Sequence, residues 1–508
     1  MKNNSLILLL TLCTLCACGG VVSSNHTTSS RPTTSTRPYA SSVDYEKVET
    51  NINDFTFVET EGGYAISRYT YKNKSTTRVV IPETFEGQKV VKINKGSFIY
   101  AVGVTKVVIS KNINNIEVDS FESCDSIVSF EVSSENETYA SVEGAIFSKS
   151  LDTLVYCPEG VSSFTVPSST KHLGNNAFFR SKAKTITLND GLKTIGDYCF
   201  ARSRQVVSLD MPDSVETIGV SVFEHSNKLK NIKLSNSLKV IPMATFVYCP
   251  AINEIVIPDS VTTIDELAIT DNDYLQKITF GNNVQTIGDW AVIRNTFLKE
   301  VILPSTLKSI GTSAFDSNDH LTDIVLNEGL ETIGAGAFAL CPNLPTLNIP
   351  STVTTIGEGV VANDKKLSTI EVASNNANFK NEDGVLLSKD GKRLLAYPAN
   401  KSGYSYSVPS TVESIDQEAF SYCVRLCYKD EAENIYGELT LPRSVKKIGI
   451  YAFSYSNNIS LINYEGTVEE FKNITTSYFV GVEQVSAFDL SNVGTVKCSD
   501  GTLIINKA

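Results

Sequence analysis

The stretch Val301-Ile302-Leu303-Pro304-Ser305-Thr306-Leu307-Lys308-Ser309-Ile310-Gly311-Thr312-Ser313-Ala314-Phe315 decides the fold, because it recurs along most of the chain. Ile195, Ile218, Ile241, Ile264, Ile287, Ile310, Ile333 and Ile356 stand 23 residues apart. Five residues further on, a second column at the same spacing runs Phe200, Phe223, Phe246, Ile269, Val292, Phe315, Phe338 and Val361. A third runs Ile186, Leu209, Ile232, Ile255, Ile278, Val301, Ile324, Leu347 and Ile370, and a fourth follows two residues behind it from Leu188 to Val372. Fixed-period self-similarity of this kind marks a stacked repeat array. Each unit supplies a short strand with two inward residues, such as Ile324 and Leu326 around outward Val325. A Pro or Asn turn and an Ala-Phe turn close the unit. One unit cannot bury its own apolar side chains, so the units stack and pair their strands in parallel. About a dozen units at the ~4.8 Å strand spacing give an array roughly 60 Å long.

Two segments break the period and match each other at an offset of 240 residues: 139–158 (YASVEGAIFSKSLDTLVYCP) and 379–398 (FKNEDGVLLSKDGKRLLAYP). Each reads as two alternating strands around a polar turn, Lys149-Ser150 or Lys389-Asp390, hence a β-hairpin insert. Residues 54–71 read as a further hairpin at the N-terminal end, and the aperiodic segment 459–508 should cap the other end. Caps are needed because an open end exposes core and unpaired strand edges.

The unit I-x-I-P-x-S-V-x-x-I-G-x-x-A-F-x-x-C resembles the BspA-like leucine-rich repeat of bacterial surface proteins. The likeness is close from Val301 and Leu303-Pro304 through Ile310-Gly311 to Ala314-Phe315, and it returns in 79–125 and 408–456. It implies a leucine-rich-repeat solenoid of ~23-residue units with parallel β-strands and two hairpin inserts. It further implies adhesion to host matrix proteins, host cells or other bacteria. The expected division is 43–78 for the N-terminal capping hairpin and 79–458 for the repeats, with inserts near 133–160 and 373–400 and a C-terminal cap at 459–508.

The N-terminus adds location. Residues 1–18, MKNNSLILLLTLCTLCAC, carry one Lys, an apolar run from Leu6 to Leu15, then small residues. That run is too short to span a bilayer and reads as a secretory leader. Its end, Leu15-Cys16-Ala17-Cys18-Gly19, resembles the bacterial lipobox, which implies cleavage after residue 17 and acylation of the Cys18 thiol. Two or three acyl chains hold firmly, because each buried methylene contributes about 0.8 kcal/mol. Residues 18–42 are half Ser and Thr with few large apolar side chains, a composition that cannot bury enough surface to fold. They read as a flexible stalk between membrane and array.

The same sequence argues against other classes. A net charge of −12 disfavours nucleic acid as the main partner. The four His residues, His26, His172, His225 and His320, fall in the stalk and in three different repeat columns, without HExxH spacing. No nucleophile elbow or Walker loop occurs, so neither catalysis nor a cofactor or metal is expected. Cys124, Cys249, Cys341 and Cys423 share a slot, three residues after the Phe column, with Ser203, Ser226, Asn318 and Ser456. This reads as a small, partly buried turn position with inert thiols. Candidate binding residues lie on the strand ladder: Val256, Ile302 and Val325 as an apolar centre, edged by Lys277 and Glu300. β-Branched residues also suit an exposed strand without any partner. Trp290, where neighbouring units hold Ala244 or Ser313, either refills volume lost where the Phe column becomes Ile269 and Val292 or stands exposed as an anchor.

The expected protein is therefore a monomeric, membrane-tethered surface lipoprotein that binds an extracellular protein or glycan. The alternative is an envelope lipoprotein capturing peptide or glycan for a transporter. Cys18→Ala should move the protein from the membrane fraction to the soluble fraction; retention with the membrane would sink the tether.

Overall fold

The structure, a computed structural model, describes residues 50–72, 76–429, 435–475 and 495–504. Cys18, the leader and the stalk lie outside the described residues. From Arg78 onward the chain winds through successive turns about 23 residues long, and each turn contributes to three ladders that run along the stack.

The first ladder consists of three- and four-residue strands. Glu254–Val256, Lys277–Thr279, Glu300–Ile302 and Asp323–Val325 pair in parallel, with Ile255, Ile278, Val301 and Ile324 in one inward row. The second consists of two-residue strands that end in Ile, from Val240–Ile241 through Thr263–Ile264, Thr286–Ile287, Ser309–Ile310 and Thr332–Ile333 to Thr355–Ile356. This is the solenoid of parallel strands that the periodicity predicts. The glycine of each Ile-Gly step lies against the turn below. A Cβ at Gly334 would come 2.4 Å from the carbonyl carbon of Gly311, so close backbone approach fixes glycine there.

The third ladder is built from turns. The N–H groups of Trp290, Val292 and Arg294 donate to the carbonyls of Thr312, Ala314 and Asp316 in the next unit, at 2.8, 2.8 and 3.0 Å. To do so, two residues per unit take left-handed backbone angles. The first column includes Tyr198, Ser221, Ala244, Leu267, Trp290 and Ser313. The second, four residues on, includes Arg202, His225, Tyr248, Asp271, Arg294 and Ser317. Left-handed backbone costs a residue with a Cβ roughly 1–2 kcal/mol. The interlocking bonds and the buried Phe column between the two left-handed positions offset that cost.

The cysteine column is more deeply buried than the sequence suggests. Cys124, Cys249, Cys341 and Cys423 are wholly inside, and so are Ser203, Ser226, Asn318 and Ser456. In most units the slot's side chain donates to the Phe-column carbonyl of the preceding unit: Ser226 Oγ to Phe200 O at 2.8 Å, Cys249 Sγ to Phe223 O at 3.0 Å, Asn295 Nδ2 to Ile269 O at 2.9 Å. Where the slot is Asn, its Oδ1 also accepts from the slot below. Asn272, Asn295 and Asn318 thereby form a continuous amide ladder beneath Cys249. A partly open turn would leave these carbonyls to water; the stack instead closes over them, which explains why small side chains that can donate recur there, Asp364 being the departure.

Each insert holds three antiparallel strands where two are expected: Tyr139–Val142, Ala145–Ser148 and Thr153–Tyr156, and again Phe379–Glu382, Val385–Ser388 and Arg393–Ala396. The additional turns are Glu143-Gly144 and Asp383-Gly384, both residues of each at positive φ, the geometry of a tight hairpin. The middle strand is buried on both faces. Ala145 and Phe147 belong to the central apolar core, while Ile146 belongs to the N-terminal core. Leu386 belongs to the central core, while Val385 and Leu387 belong to the C-terminal core. The inserts thus partition the array into three cores without opening it. At the N-terminal end Phe55–Thr60 and Gly63–Tyr69 form an antiparallel hairpin, and at the other end Thr495–Cys498 pairs with Gly501–Ile504.

Asn295→Ala orphans the Ile269 carbonyl and the Asn272 N–H. With each buried unpaired group costing about 1–3 kcal/mol, it should lower unfolding stability by roughly 2–4 kcal/mol, whereas Asn236→Ala on the surface should cost below about 1 kcal/mol, both read from denaturant melts.

Candidate functional site

Four adjacent units carry an exposed apolar strip on the first ladder. Val256, Thr279, Ile302 and Val325 stand in register, and the three aliphatic members are 52%, 61% and 44% exposed. Two residues back along the same strands stands a charged row, Glu254, Lys277, Glu300 and Asp323. Lys277 Nζ lies 3.0 Å from Glu254 Oε1, whereas Glu300 and Asp323 hold no ion pair among the described residues. The strip is bounded: the outward residues of the flanking strands are Asp210 and Lys233 on one side, Asn348 and Glu371 on the other.

A second apolar feature of the same units escapes a reading by strand pattern. Tyr274, Phe297 and His320 precede these strands at the 23-residue spacing, and their rings stack. The Tyr274 and Phe297 centroids are 6.0 Å apart at 3°, and those of Phe297 and His320 are 4.6 Å apart at 19°. Tyr274 is 61% exposed. His320 is held by Nδ1, 2.7 Å from the Thr296 carbonyl. The signal was available as a column at 274, 297 and 320, but only stacking turns a column into a ring pile.

Trp290 stands apart from this patch. It occupies the first left-handed position on the third ladder with φ of 54° and is partly exposed. Ile269 and Val292 are fully buried by themselves, packed with Ala268 and Ala291. The indole therefore neither enters the core nor joins Val256, Ile302, Val325, Lys277 and Glu300.

The remaining histidines are spread as well. His172 Nδ1 lies 2.8 Å from Thr194 Oγ1, and the His225 ring packs on Tyr248 with centroids 4.9 Å apart. Burial pushes the thiols of Cys124 and Cys249 up to about 12, so they stay protonated. No group of three or more His, Cys, Asp or Glu among the described residues could hold a metal ion.

The buried acids lie one by one in the stack. Asp416 is gripped by Arg393, Nε to Oδ1 at 2.7 Å and Nη2 at 2.6 Å from Oδ2. Asp364 accepts from the Cys341 N–H at 2.7 Å, and burial raises its carboxyl far above the usual range. Glu159, beside the first insert, accepts from the Ser123 N–H at 3.1 Å, with Arg180 Nε 3.9 Å away. Burial pushes its carboxyl up to about 7, against the pull of Arg180.

A ladder of parallel strands closed by short turns at a leucine-rich period defines a leucine-rich-repeat protein. The chain belongs to the BspA-type leucine-rich-repeat family, whose repeat region matches in 6 copies over residues 64–156, 149–276, 267–382 and 399–497. Similar solved structures include a leucine-rich repeat protein from Bacteroides ovatus, at 20% identity, covering 85% of this chain and 100% of that one with a TM-score of 0.49. A leucine rich cell surface protein from Faecalibacterium prausnitzii shares 19% identity, covering 86% and 99% with a TM-score of 0.40. No curated protein matches the sequence. Among the described residues, no helix is long and apolar enough to cross a membrane.

A carboxyl raised in the folded state stabilises fully below its unfolded value of 4.5, and that contribution is lost as pH rises through about 7. Glu159→Gln should therefore flatten the fall in stability across this window, worth on the order of 3 kcal/mol at 1.4 kcal/mol per unit. Equal pH profiles for variant and parent in thermal melts would contradict the assignment.

Proposed function

We propose that this chain is a non-enzymatic, adhesin-like cell-surface binding protein, held to the membrane through Cys18 and presenting its strand face to an extracellular macromolecule. The observation that carries the reading is the bounded strip of Val256, Ile302 and Val325 beside the Tyr274–Phe297–His320 ring pile. Exposed apolar groups gathered within a polar rim are the anatomy of a protein interface. Along the run from Thr187 to Glu371, the other outward positions hold Thr187, Asp210, Lys233, Asn348 and Glu371, so the strip is local within that run. Its open, ladder-like form suits an extended partner touched at many points. The isolated buried acids and partnered histidines support a binding role over a catalytic one.

The test is a pulldown of extracellular-matrix proteins and glycans on the purified protein, alongside Ile302→Glu/Val325→Glu. Both positions are exposed, so the variant should melt within about 1 kcal/mol of the parent. Retention of the captured partner should fall at least tenfold. Capture of no macromolecule, or equal capture by the variant, would overturn the reading.

A further inference from the structure

In an acidic chain, three consecutive turns at one edge of the array carry cations and no acid of their own. The segments that lead from the third ladder into the first strands read RSKAKT at 180–185, RSRQVVS at 202–208 and HSNKLKN at 225–231. Together these three consecutive turns hold Arg180, Lys182, Lys184, Arg202, Arg204, Lys228 and Lys230 and no Asp or Glu. Arg180 faces buried Glu159, and Lys182 Nζ lies 2.9 Å from Asp125. The other five are exposed and form no ion pair among the described residues. The three turns begin 22 and 23 residues apart in sequence, yet stacking brings them together: Thr185–Thr187 lies against Ser208–Asp210, which pairs with Asn231–Lys233. At ~4.8 Å per turn, the three span roughly 10 Å.

The same edge changes character as it continues. The column that holds Lys182 and Lys228 proceeds through Ala251 to Tyr274, Phe297 and His320. Beside it, the column of Lys184 and Lys230 proceeds through Asn253 and Gln276, both exposed amides. Ala251 is small, so no larger side chain of that column covers the Tyr274 ring on the side of the cationic turns. One edge thus offers unpaired cations, then amide donors and acceptors, then an open aromatic face at Tyr274 with the carboxylate of exposed Asp273 next to it in sequence.

We infer that this edge binds an anionic polysaccharide, its sulfates or carboxylates on Lys184, Arg202, Arg204, Lys228 and Lys230 and its sugar rings running on toward Asn253, Gln276 and Tyr274. The site goes beyond the strand-face reading and does not rest on it. Unpaired surface cations attract anions through a local potential that the chain's overall charge of −12 confines to these turns. A sulfated or carboxylated glycan presents its charges together with hydroxyls and the C–H faces of its sugar rings. Its charged groups suit the cationic run, and its hydroxyls and C–H faces match the amides and the aromatic ring further along.

The test uses the full-length protein on immobilised heparin, a sulfated polysaccharide, with free heparin, neutral dextran and a charge-matched single-stranded oligonucleotide as competitors. The parent should bind in low salt and elute as salt rises. Lys184→Gln/Arg204→Gln/Lys228→Gln/Lys230→Gln should weaken binding at least tenfold, and the milder Lys228→Gln/Lys230→Gln at least threefold. Lys89→Gln/Lys239→Gln/Lys446→Gln/Lys472→Gln, which removes the same charge elsewhere, should change it less than twofold. Circular dichroism melts confirm that the variants fold. Failure of the parent to bind, equal loss in the scattered control, or stronger competition by the oligonucleotide than by free heparin would each overturn the proposal.

Discussion

The array depends on satisfying, in most of its turns, one backbone carbonyl, that of the Phe column. The chain must bend sharply after the second ladder to bring a large apolar side chain inward, and the bend turns that carbonyl into the stack, away from water. A buried carbonyl without a donor costs about as much as a lost hydrogen bond. The slot three residues on supplies the donor from the next unit, whether Ser203 to Phe178, Cys341 to Phe315 or Asn318 to Val292. Because donor and acceptor belong to different units, closing the bond also locks the stacking. A turn cannot be satisfied without its neighbour, and this makes the array continuous.

The same closure explains the tolerance of left-handed backbone. Tyr248, Leu267 and Trp290 carry bulky side chains at positive φ, where isolated chains strongly prefer glycine. Here the interlocking N–H to carbonyl bonds of the third ladder hold those angles from both sides. Freed from a glycine requirement, the positions can display varied side chains outward, and the array becomes a scaffold whose surface changes while its core stays fixed.

The inserts extend this logic. A three-stranded insert could have ended the array, since its middle strand has no counterpart in the repeat. Ile146 instead faces one core while Ala145 and Phe147 face the next, and Leu386 does so between Val385 and Leu387. Alternation along a strand, which usually separates core from solvent, here separates core from core. Ligand-competent features can therefore lie on units on either side of an insert without a break in the backbone ladders.

The sequence by itself determined the repeat, its period, the inward columns and the places where the period breaks, because burial of apolar side chains imposes a regular spacing that survives in one dimension. It also marked Val256, Ile302 and Val325 as outward, since strand alternation is local. It did not reveal the depth of the Cys-Ser-Asn slot, the extra Glu143-Gly144 and Asp383-Gly384 turns, or the left-handed setting of Trp290. Those follow from bonds between residues some 22–26 positions apart, which no local pattern encodes. Nor did it show that Tyr274, Phe297 and His320 form one pile, or that the cations of three separated turns share one edge. Only the tertiary structure decided these, because stacking converts distance along the chain into neighbouring positions along the solenoid.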